Sequence, residues 1–252
     1  MEGYDKVNNM NEDINRTVNE FSARLREVFA EDLLAVILYG SAAGRAYQEG
    51  VSDINVLVVL ENPSAVKLFK LGKEAKSLLR KNRISPFIMT REEFAAASDV
   101  FPLEYSDILD NNVLVYGNGD ILKVNVNMAN LRTELEGKLR GAVGDLRSIL
   151  LAADGNEKIL MKLILSWSGI GNILLRGLLR LKKVDVCGID NKAIITEVEK
   201  QYGVELEAFS LLNDFRQSKK NLPATASAFA DTLLEPLKAL VRAVDAMDGG
   251  AE

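Results

Sequence analysis

The feature that most constrains this sequence is a pair of apolar runs within residues 33–60. The first run ends in Tyr-Gly-Ser at 39–41, and the second follows an Asp-Ile-Asn tripeptide that starts at Asp53. Both runs are apolar almost throughout, which is typical of strands in a sheet that is covered on both faces. Because side chains alternate across a strand, Asp53 and Asn55 are expected to project together while Ile54 points into a core.

The Gly-Ser pair at the end of the first run is suited to binding an anion. Gly40 has no Cβ, so a phosphate can approach its backbone closely. Ser41 suits the N-cap of a helix, where exposed N–H groups and the helix dipole attract phosphate. We therefore predict that Ser41 offers its hydroxyl and its N–H to a terminal phosphate. Arg45 follows, either as a cation that steers phosphates or as an ordinary solvated arginine.

A strand that ends in Gly40-Ser41, followed by a strand that opens with Asp53-x-Asn55, resembles the signature of the nucleotidyltransferase superfamily, the polymerase-beta-like fold. The resemblance implies attack of a hydroxyl on the α-phosphate of a nucleotide, departure of pyrophosphate and transfer of a nucleoside monophosphate. It also implies a nucleoside triphosphate, ATP being the first expectation, with Mg²⁺ at Asp53 and Asn55. The general layout resembles aminoglycoside nucleotidyltransferases, in which a helical domain closes the substrate cleft.

One departure from the family pattern is the second acidic position, which is usually a carboxylate and here is Asn55. An amide oxygen can ligate Mg²⁺ but adds no negative charge, and Mg²⁺ prefers charged oxygen ligands. A unit charge about 4 Å from another contributes roughly 4 kcal/mol at an effective dielectric of about 20. We therefore expect a weak or single Mg²⁺ site.

A second departure concerns the third carboxylate, which the family places on the third strand. That strand, at residues 83–89, contains none, and Ser85 or Pro86 falls at the family position. The acidic residues that follow are Glu92, Glu93, Asp99, Glu104 and Asp107. We favour roles in helix capping and on the solvated surface for these residues, so the sequence lacks an evident general base.

The chain also has no histidine, which excludes a Ser-His-Asp triad and a His-ligated zinc site.

Two functions follow from this pattern. One is an active nucleotidyltransferase that transfers a nucleoside monophosphate to an unknown hydroxyl acceptor. The alternative is a catalytically degenerate nucleotide-binding sensor, or a protein-interaction module, that lacks the second and third carboxylates. The residues do not separate the two.

Composition limits the partners and the compartment. The net charge of -5 and the pI near 5.1 do not favour nucleic acid or an anionic membrane. The single cysteine, Cys187, excludes an intrachain disulfide and fits a cytoplasmic protein, and no signal peptide is visible. Charged residues interrupt the apolar stretch Ile159–Leu181, and its longest uncharged run is too short to span a bilayer. We therefore interpret this stretch as a core helix. A homo-oligomer is left open.

The apolar periodicity predicts an α/β protein: a small mixed-sheet nucleotidyltransferase-like domain at 1–122, followed by an all-α helical bundle domain at 123–252. Predicted strands lie at 33–38, 54–60, 84–89 and 113–116, and Pro86 indicates an edge position for the third strand. Predicted helices lie at 14–29, 64–80, 90 onward, 102–109, 128–150, 158–181, 192–201, 205–215 and 225–247. A capping box of Thr90 and Glu93 is expected to open the third of them.

Two groups of basic residues each have two possible roles. One group either lines a groove or interacts with the dipole at the C-terminal end of its helix: Arg176, Arg180, Lys182 and Lys183. The other either lines a groove or forms i,i+4 pairs with Glu134 and Glu136: Arg132, Lys138 and Arg140.

Overall fold

The structure is a computed structural model that describes residues 11–44, 47, 49, 52–218 and 225–247, with side chains for all of these except 216–218. The chain divides into two compact units between Val126 and Asn127. The first unit holds a sheet and the second, in its described residues, holds helices only. The domain boundary that we place after residue 122 stays a prediction.

The first unit alternates strands with short helices. Its strands are β1 Leu33–Tyr39, β2 Ile54–Leu60, β3 Ile84–Thr90 and β4 Asn112–Gly117. Its α-helices are α1 Glu12–Phe29, α2 Ala65–Glu74, α3 Lys76–Lys81, α4 Arg91–Ala96 and α5 Pro102–Asp110. Short 3₁₀ turns occupy Ala30–Asp32, Gly40–Ala43, Ala97–Asp99 and Gly119–Leu122. The four expected strands are confirmed, whereas the single helix predicted over 64–80 is interrupted at Ala75.

The four described strands form one mixed sheet in the order β3-β2-β1-β4. β1 is antiparallel to both β2 and β4, while β2 and β3 run parallel. β3 lies at an edge, which confirms the position expected from Pro86, because proline cannot donate a hydrogen bond to a second neighbour. The sheet is therefore the small mixed sheet that the sequence predicts.

Helices cover both faces of this sheet. On one face, which we call the α1 face, the side chains of Val36, Leu38, Val56 and Val58 pack with α1 in a fully buried cluster. On the opposite face, the α5 face, Ile37, Leu57 and Val59 pack with residues of α4 and α5. Tyr105 of α5 stacks on Phe94 of α4 and donates its hydroxyl to the Phe94 carbonyl at 2.7 Å. α5 is thereby anchored over its own face of the sheet.

The second unit is built on one long amphipathic helix. Its helices are α6 Met128–Ala152, α7 Glu157–Trp167, α8 Gly169–Leu181, α9 Asn191–Tyr202, α10 Glu207–Ser218 and α11 Ala226–Asp245. The buried stripe of α6 is Leu131, Leu135, Leu139, Ala142, Val143 and Leu146, and it packs against α8 and α11. The helical bundle predicted from the 3.6-residue period is confirmed.

One long helix of the prediction is broken. The stretch 158–181 divides at Ser168, where the Ser168 hydroxyl donates to the Leu165 carbonyl and Gly169 follows. Serine and glycine both weaken a helix interior, which accounts for the break.

Among the described residues no single helix has the length and apolarity to cross a membrane; α7 and α8 reach that threshold only as a pair, bent by 41°.

Three basic residues of this unit, Arg176, Arg140 and Lys138, make contacts within it. Arg176 is buried and donates to the carbonyls of Val186 and Ile189 at 2.8 and 2.6 Å, so it fixes the loop after α8. On α6, Arg140 contacts Glu136 at 2.8 Å, one helical turn away. Lys138 contacts Glu134 in the same way at 3.4 Å. The i,i+4 pairing predicted for α6 is confirmed.

Candidate active site

The α5 face of the sheet ends in polar side chains. Pairing aligns Ser85 of β3 with Asn55 of β2, Asn55 with Tyr39 of β1, and Tyr39 with Asn112 of β4. Since paired residues project from the same face, these four form a row across the sheet. Ser85, and not Pro86, therefore stands beside Asn55, so it is the residue at which the resemblance to nucleotidyltransferases predicts a third carboxylate.

Gly40 turns the chain at the end of β1. Its φ of 71° lies in the left-handed region, which glycine adopts without steric cost. Its N–H donates to the Asn111 carbonyl at 3.0 Å, so this turn is tied to the end of α5. A Cβ at Gly40 would lie 3.2 Å from the Asp107 Oδ2 and 3.3 Å from the Asn55 Nδ2. The missing side chain thus leaves room for a carboxylate and an amide to approach one point.

Tyr39 joins the same group of residues. It is buried, and its hydroxyl donates to the Glu104 carboxylate on α5. Burial, the charge and hydrogen bond of Glu104 and the charge of Asp107 all raise the pKa of Tyr39 above its usual value. The phenol therefore stays protonated and donates to a carboxylate. We call Tyr39, Gly40, Asn55, Glu104 and Asp107 the strand-end cluster.

Asp53 lies next to this cluster in sequence but has a different partner. Its Oδ1 accepts a hydrogen bond from the Arg83 Nε at 2.8 Å, and both side chains are about half exposed. Arg83 precedes β3, holds a φ of 54° and accepts the Ile54 N–H at its carbonyl. The parallel pairing of β2 with β3 thus places a guanidinium on the carboxylate that was predicted to hold Mg²⁺. Tyr47 lies within electrostatic reach of this ion pair.

The prediction that Ser41 caps a helix is wrong. Ser41 is the second residue of the 3₁₀ turn Gly40–Ala43, and no side chain caps that turn. The hydrogen bond from Gly40 to Asn111 closes the chain into this turn, which ends with the Gly44 N–H on the Ser41 carbonyl. Arg45 lies outside the described residues. Of the predicted site residues, the structure brings Gly40 and Asn55 together.

The acidic residues after β3 divide into two groups. Glu93 forms a reciprocal capping box with Thr90, as predicted. For Glu104 and Asp107 the favoured assignment to capping and surface is wrong, because both are half-buried against the end of β1. They lie three residues apart on α5, among the buried residues Leu103, Tyr105 and Ile108. That spacing was the available signal, since it places both carboxylates close to the buried face of the helix.

The possible metal ligands at this end of the sheet restrict the kind of metal site that they can form. Within the described ranges no group of three or more histidine, cysteine, aspartate or glutamate side chains is arranged to hold a metal ion. Asp53 is neutralised by Arg83, and Asn55 carries no charge. The arrangement therefore does not match a site in which several carboxylates hold two ions.

No family model matches the chain, and no curated protein matches it. Solved structures do match. Spectinomycin adenyltransferase AAD(9) from Enterococcus faecialis, crystallised with ATP and spectinomycin, aligns over 88% of this chain and 98% of its own, with a TM-score of 0.55 and 14% identity. The toxin–antitoxin MntA-HpeT, in mutant form, aligns over 42% of this chain and 77% of its own, with a TM-score of 0.30 and 17% identity.

The alignment with the adenyltransferase covers both the sheet unit and the helices after it. At 14% identity it establishes the fold, and the second similarity carries no argument. The expected architecture, a small mixed sheet followed by a helical unit, is confirmed by the described elements. This chain therefore has the nucleotidyltransferase fold, as its Gly-Ser and Asp-x-Asn segments predict.

Proposed function

We propose that this protein binds a nucleoside triphosphate at the strand-end cluster and transfers a nucleoside monophosphate to a hydroxyl acceptor. The observation that carries the proposal is the turn at Gly40, where Asn55 and Asp107 approach one point at the end of β1. ATP is the first nucleotide to consider, because the adenyltransferase of similar fold was crystallised with it. We carry over no acceptor-binding residue from that protein.

Individual residues receive roles within this proposal. Ser41 offers its hydroxyl to a terminal phosphate, and Arg45 steers the phosphates. Gly40 contributes its conformation and its lack of a side chain, since its N–H is already bonded to Asn111. Asp53 and Asn55 face the metal side of the nucleotide, with Arg83 as a cation that Asp53 holds near the phosphates.

The donor set fits one Mg²⁺ ion that arrives with the nucleotide. Mg²⁺ in nucleotide sites commonly takes one or two protein carboxylates and completes its shell with phosphate and water. Oxygens of Asp53 and Asn55 would hold it here, provided that the Asn55 amide, whose nitrogen faces Gly40, turns over. When bound, the ion supplies positive charge that offsets the charge of the phosphates.

The same bonds form and break for any hydroxyl acceptor. The hydroxyl oxygen forms a bond to the α-phosphorus, and the bond from that phosphorus to the bridging oxygen of the β-phosphate breaks. Pyrophosphate leaves with the bonding electron pair, and the hydroxyl proton passes to a carboxylate at this end of the sheet. Carboxylates are the candidate bases because the chain has no histidine.

A second function is supported by a specific observation, the ion pair of Asp53 with Arg83. A carboxylate held by a guanidinium is a weaker metal ligand, since the two cations compete for one charge. A protein with such a site binds the nucleotide and signals its presence to another protein or to a second copy of itself. This is the catalytically degenerate sensor or interaction module.

Calorimetric titration with ATP and GTP, with and without Mg²⁺, tests the proposal on the wild type, Ser41→Ala and Asp53→Ala. We expect Mg²⁺-dependent binding that each substitution weakens at least tenfold. Ser77→Ala on α3 and Asp231→Ala on α11 are the matched controls, because both side chains are exposed far along the chain from the cluster. Binding that ignores Mg²⁺ and both substitutions would overturn the proposed site.

Release of pyrophosphate separates the two functions. Spectinomycin is the first acceptor to supply, since the protein of similar fold was crystallised with it, and a panel of other hydroxyl compounds follows. Pyrophosphate produced in proportion to a modified acceptor identifies the transferase. Mg²⁺-dependent binding of ATP without pyrophosphate release on any acceptor identifies the sensor.

A further inference from the structure

Asp107 occupies a place in the strand-end cluster that the strands themselves leave without charge. Its Oδ2 and the Asn55 Nδ2 both lie within 3.3 Å of the position that a Gly40 Cβ would take. Asn55 is neutral, and Ser85, beside it on β3, is neutral too. Asp107 therefore brings negative charge to a point where two strands present only uncharged groups.

Three attachments fix Asp107 relative to the strand end. The Glu104 carboxylate accepts from Tyr39, one helical turn before Asp107. The Asn111 carbonyl accepts from Gly40, one turn after it. Asn112 of β4 donates its amide to the carbonyls of Ile108 and Leu109 at 3.0 and 3.1 Å. These contacts hold the backbone of α5 in place on both sides of Asp107.

The stability of α5 does not account for Asp107. The residue lies in the last turn of Pro102–Asp110, where the helix dipole is negative. A carboxylate there is unfavourable, in contrast to one in the first turn such as Glu104. Glu104 and Asp107 also both act on Tyr39, so the charges lie near one another.

We propose that Asp107 supplies the carboxylate that Asn55 lacks and faces the divalent cation of a metal–nucleotide complex. This inference rests on the proposed function, because the nucleotide brings the cation. It makes a helix residue, and not a strand residue, the second acidic group of the site beside Asp53. The inference also predicts opposite effects of the Asp107 charge on two affinities. Asp107 attracts the metal–nucleotide complex through its cation but repels the nucleotide alone.

Titrations with Mn·ATP and with ATP in excess chelator test these opposite effects. Asp107→Asn is expected to weaken Mn·ATP binding at least tenfold and to leave metal-free ATP binding equal or tighter. The control, Asp99→Asn, neutralises an exposed carboxylate on the 3₁₀ turn before α5 and should change neither affinity more than twofold. The double variant Asn55→Asp with Asp107→Asn returns one charge to the cluster and should regain most of the lost affinity.

Each outcome is decisive. Asp107→Asn that binds Mn·ATP like the wild type overturns the inference, and so does a loss that is equal with and without metal, which marks a structural role. A wild type that binds no ATP under either condition overturns the proposed function instead. Circular dichroism checks folding. If Asp107→Asn does not fold, Asp107→Glu is the second variant: it keeps the charge, so it should bind Mn·ATP within about tenfold of the wild type and still more tightly than metal-free ATP, and equal affinities with and without metal count against Asp107.

Discussion

The two faces of the sheet differ most where β1 ends and β2 begins. On the α1 face the paired residues at this point are Leu38 and Val56, both fully buried. On the α5 face, one residue away on each strand, they are Tyr39 and Asn55. Because side chains alternate across a strand, the same two strands contribute to the core on one face and to a polar site on the other. Residues of the site and of the core are thus neighbours in the sequence. Substitutions at adjacent positions should therefore affect either stability or nucleotide binding.

The largest effect on stability is expected on the α1 face. Leu38→Ala removes a fully buried side chain from the core and should lower the free energy of unfolding by about 2–5 kcal/mol. Urea unfolding followed by circular dichroism measures the change. A loss below about 1 kcal/mol would mean that this face is not the close-packed core described above.

Tyr39→Phe tests the buried end of the α5 face. It removes the hydroxyl that donates to Glu104, and a hydrogen bond to a charged group contributes about 1.5–3 kcal/mol. The same urea experiment should show a loss of that size. An unchanged midpoint would show that the Glu104 carboxylate is satisfied without the phenol.

Alkaline pH gives an independent measure of Tyr39. Its pKa is raised in the folded state above the ordinary value of 10.0, so its contribution is complete below pH 10 and is lost as pH rises further. Burial also raises the pKa of Tyr105 to about 12. Tyr105 is therefore a second source of stability that is lost at alkaline pH, and it is present in the wild type and in the variant alike. Between pH 10 and about 12, the window set by these values, Tyr39→Phe should lose less stability than the wild type. Identical pH profiles would contradict the assignment.

Gly40→Ala should have an intermediate effect. The left-handed backbone costs about 1–2 kcal/mol for a residue with a Cβ, and that Cβ would press on Asp107 and Asn55. Gly72→Ala, in the open on α2, is the control, and it should stabilise the protein slightly because alanine is the better helix former. Losses of equal size at the two glycines would rule out a special role for the Gly40 turn.

The smallest effect on stability is expected at Asn55. Asn55→Ala removes a half-buried amide and should change the free energy of unfolding by less than about 1 kcal/mol. Its effect should fall on Mg·ATP binding, which titration measures. If Asn55→Ala destabilised the fold as strongly as Leu38→Ala, the end of the α5 face would be core and not a site.

Local patterns in the sequence predicted much of the fold. The apolar runs at 33–60 fix β1 and β2, and the stripe from Leu131 to Leu146 fixes α6, because both depend only on neighbouring residues. Thr90-x-x-Glu93 predicted the start of α4 for the same reason. Ser168 and Gly169 break a helix whose apolar period continues through them, so periodicity alone missed the break.

The site was only partly predictable, because its contacts join distant parts of the chain. Gly40 and Asn55 follow from the strand pattern, whereas Asp107 reaches them only after α5 has docked on the sheet. The pairing of Asp53 with Arg83 depends on the register of β2 against β3, which no local motif specifies. Ser41 enters a 3₁₀ turn because Gly40 bonds to Asn111, a contact that the Gly-Ser pair alone does not reveal.

Hydrogen exchange followed by mass spectrometry, on the full chain with and without Mg·ATP, tests the central claim most directly. If the end of the α5 face is a nucleotide site, ATP will slow exchange in the peptides that cover residues 39–44, 53–56 and 104–112. The peptides of α1, on the opposite face, will exchange at an unchanged rate. Protection confined to other peptides, or none at saturating ATP, would contradict a nucleotide site at this end of the sheet.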